Sequence, residues 1–489
     1  MASILEAISK TVMETYEPAI KDARPRLDKT ENMIRTTSIG VGRANFGREW
    51  KAKHTFVGGQ AGINYSRSIL GGTMPSAGAS GNLLLYDDGS TSAGRTFPTI
   101  AEMPTPGFYD MEIQLKENVG GFAIPLQVFM YDKAGGNVGS VVSEVVRGAA
   151  EGYVMYEIHG RWKLNSVNNS ICVIQAPSSS EDVTTTAKTY TIIGGRIRSL
   201  RAGMVCQIWG DATLANTGAS GINTLVSTTK VFVEDVNTLA GTVQLRRIGG
   251  SDINLTASGY YDLAPYNPAN VSGTNSPSMA SGWIDWVKST GTVFGVSLSA
   301  HADWRSLIAS VTGQPLTGTL LNKYVGSFRD ATGKDIDTII TTEGVLLGLL
   351  ENIEDAAQLF RYEIQGEAVN AQIGFSDVGY RYRGGKIPIL TTPHCPAGDL
   401  WGFRFADGNV RRYIPPRIDG TGTDSDFGSE VQFLAQLWGS PSIFTPGRDP
   451  TTGSEIDIQK AVYYFFRELA PMDPQTLRLT GLTEGTTTG

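Results

Sequence analysis

The pattern of apolar and polar positions changes character several times along the chain. In residues 139–163, GSVVSEVVRGAAEGYVMYEIHGRWK, apolar side chains recur at the three- and four-residue spacing of an α-helix. They form one stripe made of Val141, Val142, Val145, Val146, Ala149, Tyr153 and Tyr156. Ser140 can cap the N-terminus, and Arg161 and Lys163 stand at the C-terminal end, where positive charge is favourable. About 24 residues at about 1.5 Å each predict a helix about 36 Å long.

The first 48 residues show a weaker helical pattern that soon ends. Apolar positions from Ile4 to Tyr16 predict a short amphipathic helix, with Ile4, Leu5, Ile8, Val12 and Met13 on one face. After Pro18 the sequence is polar, and we expect an extended conformation. The segment is therefore predicted to be an arm rather than a domain.

Residues 49–118 predict a long β-hairpin. The sequence from 54 to 115 is rich in Gly, Ser, Thr and Pro, and Asp87-Asp88-Gly89-Ser90 is a plausible hairpin tip. Its last part alternates apolar and polar positions, with Met111, Ile113 and Leu115 on one face. A hairpin of this length has no core of its own, so we expect it to lie on another surface.

Residues 188–265 change to short strand-like runs separated by Gly, Asn and Asp turns. The runs are TYTII, MVCQIW, KVFVEDV, TVQLRRI and GYYDL. Regularly spaced short strands predict a small all-β module, which we interpret as barrel-like. A linker rich in Asn, Ser and Pro follows.

From about residue 283 helical and strand patterns mix, so the fold class expected for the whole chain is α+β. TLLNKYVGSFRDATG predicts a helix closed by Gly333, and TEGVLLGLLENI predicts a second helix capped by Thr341 or Thr342. DIDTIIT, KIPIL, DLWGFRF, AVYYFFREL and QTLRLTGL predict strands. The last residues, TEGTTTG, are expected to be disordered.

Composition narrows the class of protein. A length of 489 residues is typical of about three domains, or of one core with large insertions. Only 18% of residues are charged, and the net charge of −7 disfavours a general nucleic-acid binder. The three cysteines show no CxxC spacing, which is typical of reduced thiols. We find no secretory leader and no apolar run long enough for a membrane span.

Catalytic and metal-binding patterns are weak throughout. Ser297, Ser299, His301 and Asp303 resemble a triad in composition, but a triad is assembled from distant segments, so we expect a polar turn with Asp303 as a helix cap. His394 and Cys395 are two adjacent potential ligands, but Pro393 and Pro396 flank them and indicate a connector. The carboxylate pairs Asp335/Asp337 and Asp424/Asp426 fit solvated loops. We therefore predict no enzyme, no catalytic residue, no cofactor and no metal site.

The order of the parts resembles the major capsid proteins of tailed bacteriophages, which have the Hong Kong ninety-seven fold. Stretches similar to that family are SGWIDWVKSTGTVFGVSLSAHADWRS, DATGKDIDTIITTEGVLLGLLEN, GGKIPILTTPHCPAGDLWGF and ELAPMDPQTLRLTGL. RSLRAGMVCQIWG with the strands that follow it resembles the β-barrel insertion of some members. Leu400-Trp401 stands where the family often has Ile-Tyr.

The resemblance implies a division of the chain into the family's parts. These are an N-arm (1–48), an E-loop (49–118), a P domain with a long spine helix (beginning in 119–187), the insertion (188–265), an A domain with return strands (266–410), and closing A- and P-domain segments with a tail (411–489).

The implied function is mechanical. Copies of the subunit would form hexamers and pentamers of an icosahedral head that encloses double-stranded DNA without sequence-specific binding. Expected partners are the chain itself, a scaffolding protein, the portal and a decoration protein, with no membrane involved. Assembly would take place in the host bacterial cytoplasm, and the final location would be the virion.

One departure from the family affects how subunits are held together. Some members form a Lys–Asn isopeptide bond from an E-loop lysine, but residues 54–115 contain no lysine, so we expect non-covalent contacts. Our candidates for contacts between subunits are Arg67, Arg95, Asp87, Asp88, Glu144 and Glu151. No heptad run precedes the arm, so any scaffolding protein is expected to be a separate chain.

Three alternatives remain open. An encapsulin-like nanocompartment shell would share the fold, although its subunits are usually shorter and lack the insertion. Another phage structural protein, such as a tail component, would have to accommodate the long helix. An enzyme would need a site that the sequence does not reveal.

Overall fold

The structure is a computed structural model, and it describes most but not all of the chain. The described residues are 16, 18–38, 51–58, 107–125, 138–164, 169–177, 182–195, 200–210, 225–256, 258–267, 279–357, 379–382, 385–415, 431–433, 444–448 and 455–484. Helices and sheets both occur in these ranges, so the expected α+β class is confirmed.

The elements run in the following order. The helices are α1 Val138–Arg161, α2 Gly318–Thr332 and α3 Glu343–Ala357, with a single helical turn at Trp283–Trp286 and 3-10 helices at Lys29–Met33, Ala302–Trp304 and Ala406–Gly408. The strands are β1 Arg35–Ser38, β2 Lys51–Gly58, β3 Gly107–Gln114, β4 Lys116–Pro125, β5 Cys172–Gln175, β6 Lys188–Gly195, β7 Val205–Trp209, β8 Lys230–Asn237, β9 Thr242–Ile248, β10 Tyr260–Pro265, β11 Thr292–Val293, β12 Val296–Ser297, β13 Leu307–Pro315, β14 Thr338–Thr341, β15 Gly379–Tyr382, β16 Gly385–Thr391, β17 Leu400–Phe403, β18 Val410–Ile414, β19 Val431–Phe433, β20 Phe444–Arg448, β21 Glu455–Pro471 and β22 Leu477–Thr483.

The predicted long helix is α1, 24 residues in length. Its apolar stripe lies in the largest core, where Val146, Ala150, Val154 and Ile158 are almost completely buried. Tyr153 stacks on Phe465 of β21 with ring centroids 3.4 Å apart. The helical period of the sequence thus places α1 against the long strand β21.

The sheet next to α1 is built around β21, which has 17 residues. β4 pairs antiparallel with one part of it, and β18, β19 and β20 also pair with β21. β1 pairs in parallel with β18, with Arg35 opposite Arg411. The first and last parts of the chain therefore belong to one sheet.

The N-terminal segment differs from the expected extended arm. Residues 18–27 are helical, and Tyr16, Ile20 and Ala23 are buried in the main core with Leu27 packed against it. These positions repeat every three or four residues, so burial of this stripe outweighs the polar composition. The extended conformation predicted after Pro18 is wrong. The rest of the helix predicted from Ile4 lies outside the described residues.

A closed barrel forms the second part of the fold. Its strands follow one another in the order β10, β5, β6, β9, β8, β7 and back to β10. Alternate side chains such as Cys206, Val231 and Leu245 fill its interior. The barrel starts at Cys172, before the predicted boundary at residue 188, because β5 pairs with both β6 and β10. The run ICVIQ alone was too short to identify this closing strand.

The third part is a mixed sheet covered by α2 and α3. Its strand order is β13, β22, β17, β14, β16, β15. Thr317 caps α2 by accepting a hydrogen bond from the N–H of Leu320, and Gly333 ends the helix with φ of 70°. Thr342 Oγ1 likewise accepts from the N–H of Val345 in α3. The helix end at Gly333 and the cap at Thr342 were predicted from the sequence, whereas the cap at Thr317 was not.

Candidate functional site

The His394-Cys395 stretch forms a buried turn between β16 and β17. The N–H of Cys395 donates to Thr392 O at 3.3 Å, and the N–H of Asp399 donates to Pro396 O at 3.2 Å. The Cys395 thiol lies 3.6 Å from Asp399 O. Within the described residues, no group of three His, Cys, Asp or Glu side chains is placed to hold a metal ion. The prolines therefore indicated the correct local structure, a connector.

The other sequence candidates for chemistry are also engaged in local structure. The hydroxyls of Ser297 and Ser299 meet at 2.8 Å. Asp303 lies inside the 3-10 helix Ala302–Trp304, so its predicted role as an N-cap is wrong. Asp337 accepts hydrogen bonds from the N–H groups of Phe405 and Ala406. Exposed Asp335 lies 3.3 Å from Arg329.

The most unusual side-chain arrangement is a buried group of charges between the N-terminal segment, α1 and the closing strands. We call it the charge cluster. Its members are Arg24, Asp28, Glu31, Glu157, Arg161, Arg412, Arg467 and Glu468, each at most 7% exposed. Glu157 and Arg161 are one helical turn apart on α1, Arg412 lies on β18, and Arg467 and Glu468 lie on β21.

Glu157 is at the centre of the charge cluster. Its Oε2 is 2.9 Å from Arg24 Nε and 2.8 Å from Arg467 Nη1, and its Oε1 is 2.9 Å from Arg412 Nε. One carboxylate on α1 thus meets arginines from the N-terminal segment, β18 and β21. Removing it would leave three like charges facing each other in a buried site.

Arg161 connects α1 to the N-terminal segment. Its Nη1 donates to Asp28 Oδ2 and to Thr30 Oγ1, each at 3.1 Å, and its Nη2 contacts Glu31. Asp28 also accepts from Trp162 Nε1 at 3.0 Å. The second oxygen of Glu31 accepts from Arg412 Nη2 at 2.6 Å, which closes the network onto β18.

Burial and charge set the protonation states within the charge cluster. Burial disfavours ionisation of Glu157, but Arg24, Arg412 and Arg467 outweigh it and hold its pKa well below the usual range. Burial lowers the pKa of Arg161 to about 9, so this guanidinium stays charged at neutral pH. Burial raises the pKa of Glu468 to about 7, although the N–H groups of Ser281 and Leu469 donate to it and favour its charged form.

These contacts give the charge cluster a structural role. The carboxylates of Asp28, Glu31 and Glu157 pair with arginines, whereas Glu468 accepts from backbone N–H groups. Within the described residues, no group of side chains in the cluster is placed to hold a metal ion. Sequence analysis missed it because its members are far apart in the chain. The one local signal was Glu157 and Arg161, two charged residues four positions apart within an otherwise apolar helix.

The six residues predicted to contact other subunits differ in their surroundings and in whether the structure describes them. Glu144 is exposed on α1. Glu151 contacts Arg26 and lies 3.7 Å from Arg147, so it already has partners within its own chain. Arg67, Arg95, Asp87 and Asp88 lie outside the described residues, as do Asp424 and Asp426.

The predicted hairpin is described at its base only. β2 and β3 pair antiparallel from Lys51 opposite Gln114 to Gly58 opposite Gly107, and they form a sheet of two strands. One face of β3 is buried, with Met111 and Ile113 fully inaccessible. His54 Nε2 lies 3.0 Å from the Tyr413 hydroxyl, which joins the base of the hairpin to β18.

In the part of the chain that the structure describes, no helix is long and apolar enough to cross a lipid bilayer.

Comparisons with known proteins give matches among solved structures alone. No protein-family model matches the chain, and no curated protein matches it. The capsid asymmetric unit of cyanophage A-1(L) is 11% identical, covers 94% of this chain and 93% of its own, and has a TM-score of 0.41. The capsid of a native GTA particle is 9% identical, with 93% of this chain and 90% of the GTA chain covered, and has a TM-score of 0.36. The SrpI encapsulin of Synechococcus elongatus is 10% identical, with 37% of this chain and 56% of the encapsulin chain covered, and has a TM-score of 0.23.

Proposed function

We propose that this chain is the major capsid protein of a tailed bacteriophage. Its copies assemble into the hexamers and pentamers of an icosahedral head, which encloses double-stranded DNA as a container. The protein acts by making contacts rather than by catalysis. The capsid structures reported above belong to the same class of protein, and the proposal does not depend on them.

The observation that carries the proposal is the presence of open strand edges with exposed large apolar side chains. β13 ends its sheet, pairs only with β22 among the described strands, and leaves Ile308 37% exposed. β4 pairs only with β21 among those strands and leaves Val119 63% exposed. Unpaired edges of this kind favour pairing with another chain, so a lone subunit has incomplete surfaces.

The way the chain is organised supports the same function. The two-stranded hairpin and the closed barrel both leave and rejoin one core. A two-stranded hairpin is poorly stable alone, and the base of this one packs on the main core through Met111 and Ile113. Low charge content fits a surface that is largely covered by copies of itself.

Further proposals concern what holds the shell together and what accompanies it. The absence of lysine from residues 54–115 favours non-covalent contacts through the hairpin and the N-terminal region. Arg67, Arg95, Asp87, Asp88 and Glu144 remain candidates for these contacts. A scaffolding protein, the portal and a decoration protein are the expected partners, with assembly in the bacterial cytoplasm.

Electron microscopy of the purified full-length chain, alone and with a candidate scaffolding protein, tests the function. We expect polyhedral shells, or free pentamers and hexamers. Ile308→Asp should reduce assembly while leaving the circular dichroism spectrum unchanged. Leu239→Asp is the matched control, because Leu239 is a fully exposed apolar residue at a turn of the barrel. A small discrete oligomer under both conditions would refute the proposal.

A further inference from the structure

A buried lysine and a buried asparagine meet at the point where the chain leaves α1 and enters the barrel. Lys163 Nζ donates a hydrogen bond to Asn169 Oδ1 at 3.0 Å. The two residues are 4% and 6% exposed. The N–H of Leu164 donates to Ser170 O at 2.8 Å, which holds the two segments side by side. An amine and an amide are thus kept in contact where bulk water hardly reaches them.

A carboxylate from a distant part of the chain completes this site. Asp285 Oδ2 lies 2.6 Å from Lys163 Nζ, and it accepts from the N–H of Gly282 at 2.7 Å. Asp285 belongs to the helical turn Trp283–Trp286, and its side chain is 17% exposed. The lysine nitrogen therefore lies between a carboxylate that can take its proton and an amide that it can attack.

The backbone places the amide of Asn169 within reach of the lysine. Asn169 has a φ of 57°, in the left-handed region that asparagine adopts more readily than most residues. The two side chains meet although their residues are only six positions apart. Because Oδ1 is bonded to Cγ, the hydrogen bond keeps Lys163 Nζ next to the carbon that a nucleophile would attack. Holding two reacting groups in contact in this way removes much of the entropic barrier to a reaction between them.

We propose that Lys163 and Asn169 form an isopeptide bond within the chain, with Asp285 as the group that carries the protons. Asp285 takes a proton from the lysine ammonium, and Nζ then attacks Cγ of Asn169. The Nζ–Cγ bond forms and the Cγ–Nδ2 bond breaks. Nζ gives up two protons in all, and both pass to the leaving nitrogen, which departs as ammonium while Asp285 is again a carboxylate. The reaction takes place once per chain and needs no cofactor, oxidant or second subunit.

The bond would join two parts of the fold permanently. Lys163 follows the end of α1, which lies in the main core, and Asn169 precedes β5, which is the first strand of the barrel. An ion pair at this junction is lost when the chain unfolds, whereas an isopeptide bond persists. The link is confined to one chain, so it adds no covalent multimers, and it does not depend on the assembly of a shell.

Mass spectrometry of a tryptic digest of the denatured full-length chain tests the bond. Trypsin does not cleave after an acylated lysine, so residues 162–188 should appear as one peptide that is lighter than its sequence mass by one ammonia. Cleavage after Lys163 with no loss of mass would overturn the proposal and leave the three side chains with a structural role alone. Loss of ammonia together with cleavage after Lys163 would also overturn it, because this result indicates that Asn169 has cyclised onto its own backbone.

Three variants assign the reacting groups. Lys163→Arg keeps a positive charge beside Asp285 but removes the attacking amine, so this peptide region should have its full sequence mass. Asp285→Asn keeps the amine and the amide and should also lack the bond. Lys334→Arg is the matched control, because Lys334 also pairs with a carboxylate, that of Asp473, and the peptide of residues 162–188 should remain lighter by one ammonia. Loss of ammonia that persists in Lys163→Arg would refute the site, and the mass of the unmodified chain is informative even where a variant fails to fold.

Discussion

Replacing Glu157 by Gln removes the charge that holds three arginines together. The variant keeps the shape of the side chain but leaves Arg24, Arg412 and Arg467 facing a neutral amide inside the protein. The amide oxygen can still accept hydrogen bonds, whereas the NH₂ group of the glutamine would face other donors. The change therefore affects electrostatics and hydrogen bonding far more than packing.

The expected cost follows from the burial of the partners. Breaking a buried ion pair by removing one charge costs about 3–5 kcal/mol, because the remaining charge is left uncompensated. Glu157 is 6% exposed, and its arginine partners are similarly buried, so solvent screens little of the effect. We expect a loss of about 4 kcal/mol, a large fraction of the 5–15 kcal/mol that is typical of a folded protein.

Urea denaturation of the unassembled chain, followed by circular dichroism, measures this loss. Glu144→Gln is the matched control: it makes the same change at an exposed position of the same helix, and it should alter the free energy of unfolding by less than about 0.5 kcal/mol. The double variant Glu157→Gln/Arg24→Gln should be less destabilised than the sum of its single changes. A loss below about 1 kcal/mol for Glu157→Gln would refute the structural role of the charge cluster.

Three further predictions follow from particular residues. Burial raises the pKa of Glu468 from 4.5 in the unfolded chain to about 7. The contribution of Glu468 to the free energy of unfolding is therefore full below pH 4.5 and is lost as the pH rises through 7, by about 3 kcal/mol in total. Glu468→Gln should remove this pH dependence from thermal melts between pH 5 and pH 8, and an unchanged slope would contradict the assignment. Gly282→Ala should lower the free energy of unfolding by about 3 kcal/mol, because a Cβ there would lie 2.2 Å from Gly160 O and 2.6 Å from Arg161 O. In the control variant Gly148→Ala on α1, the added Cβ meets nothing within 4 Å, so the change should be neutral or stabilising. Assembled particles boiled in denaturant should run as one band on a gel, since residues 54–115 contain no lysine, and a ladder of covalent multimers would show this to be wrong.

Local periodicity was sufficient to predict the long helices and most of the strands from the sequence. The stripe from Val141 to Tyr156 predicted α1, and Gly333 predicted the C-terminal end of α2. These features depend on residues close together in sequence, where spacing determines which side chains share a face. The alternating runs after residue 188 identified barrel strands for the same reason.

The features that the sequence did not predict depend on residues far apart in the chain. The charge cluster joins Glu31 to Arg412, which are 381 positions apart, and Glu157 to Arg24, which are 133 positions apart. Neither pairing leaves a local pattern. The N-terminal segment was misjudged because its stripe of Tyr16, Ile20, Ala23 and Leu27 is short and is interrupted by charged residues whose partners lie elsewhere. The strand β5 became identifiable only through the two strands that it joins.

We expect the charge cluster to contribute specificity of packing. An apolar contact tolerates small rotations, whereas Glu157 pairs with arginines from three different segments, so a different docking of these segments would leave buried charges unpaired. The cluster fixes the N-terminal segment, α1, β18 and β21 relative to one another, and β18 in turn contacts the base of the hairpin through Tyr413 and His54. For the capsid function proposed above, a subunit that repeats the same contacts many times would need the base of its hairpin held at a constant angle to its core. The directional ion pairs meet that need at the point where the first and last parts of the chain join.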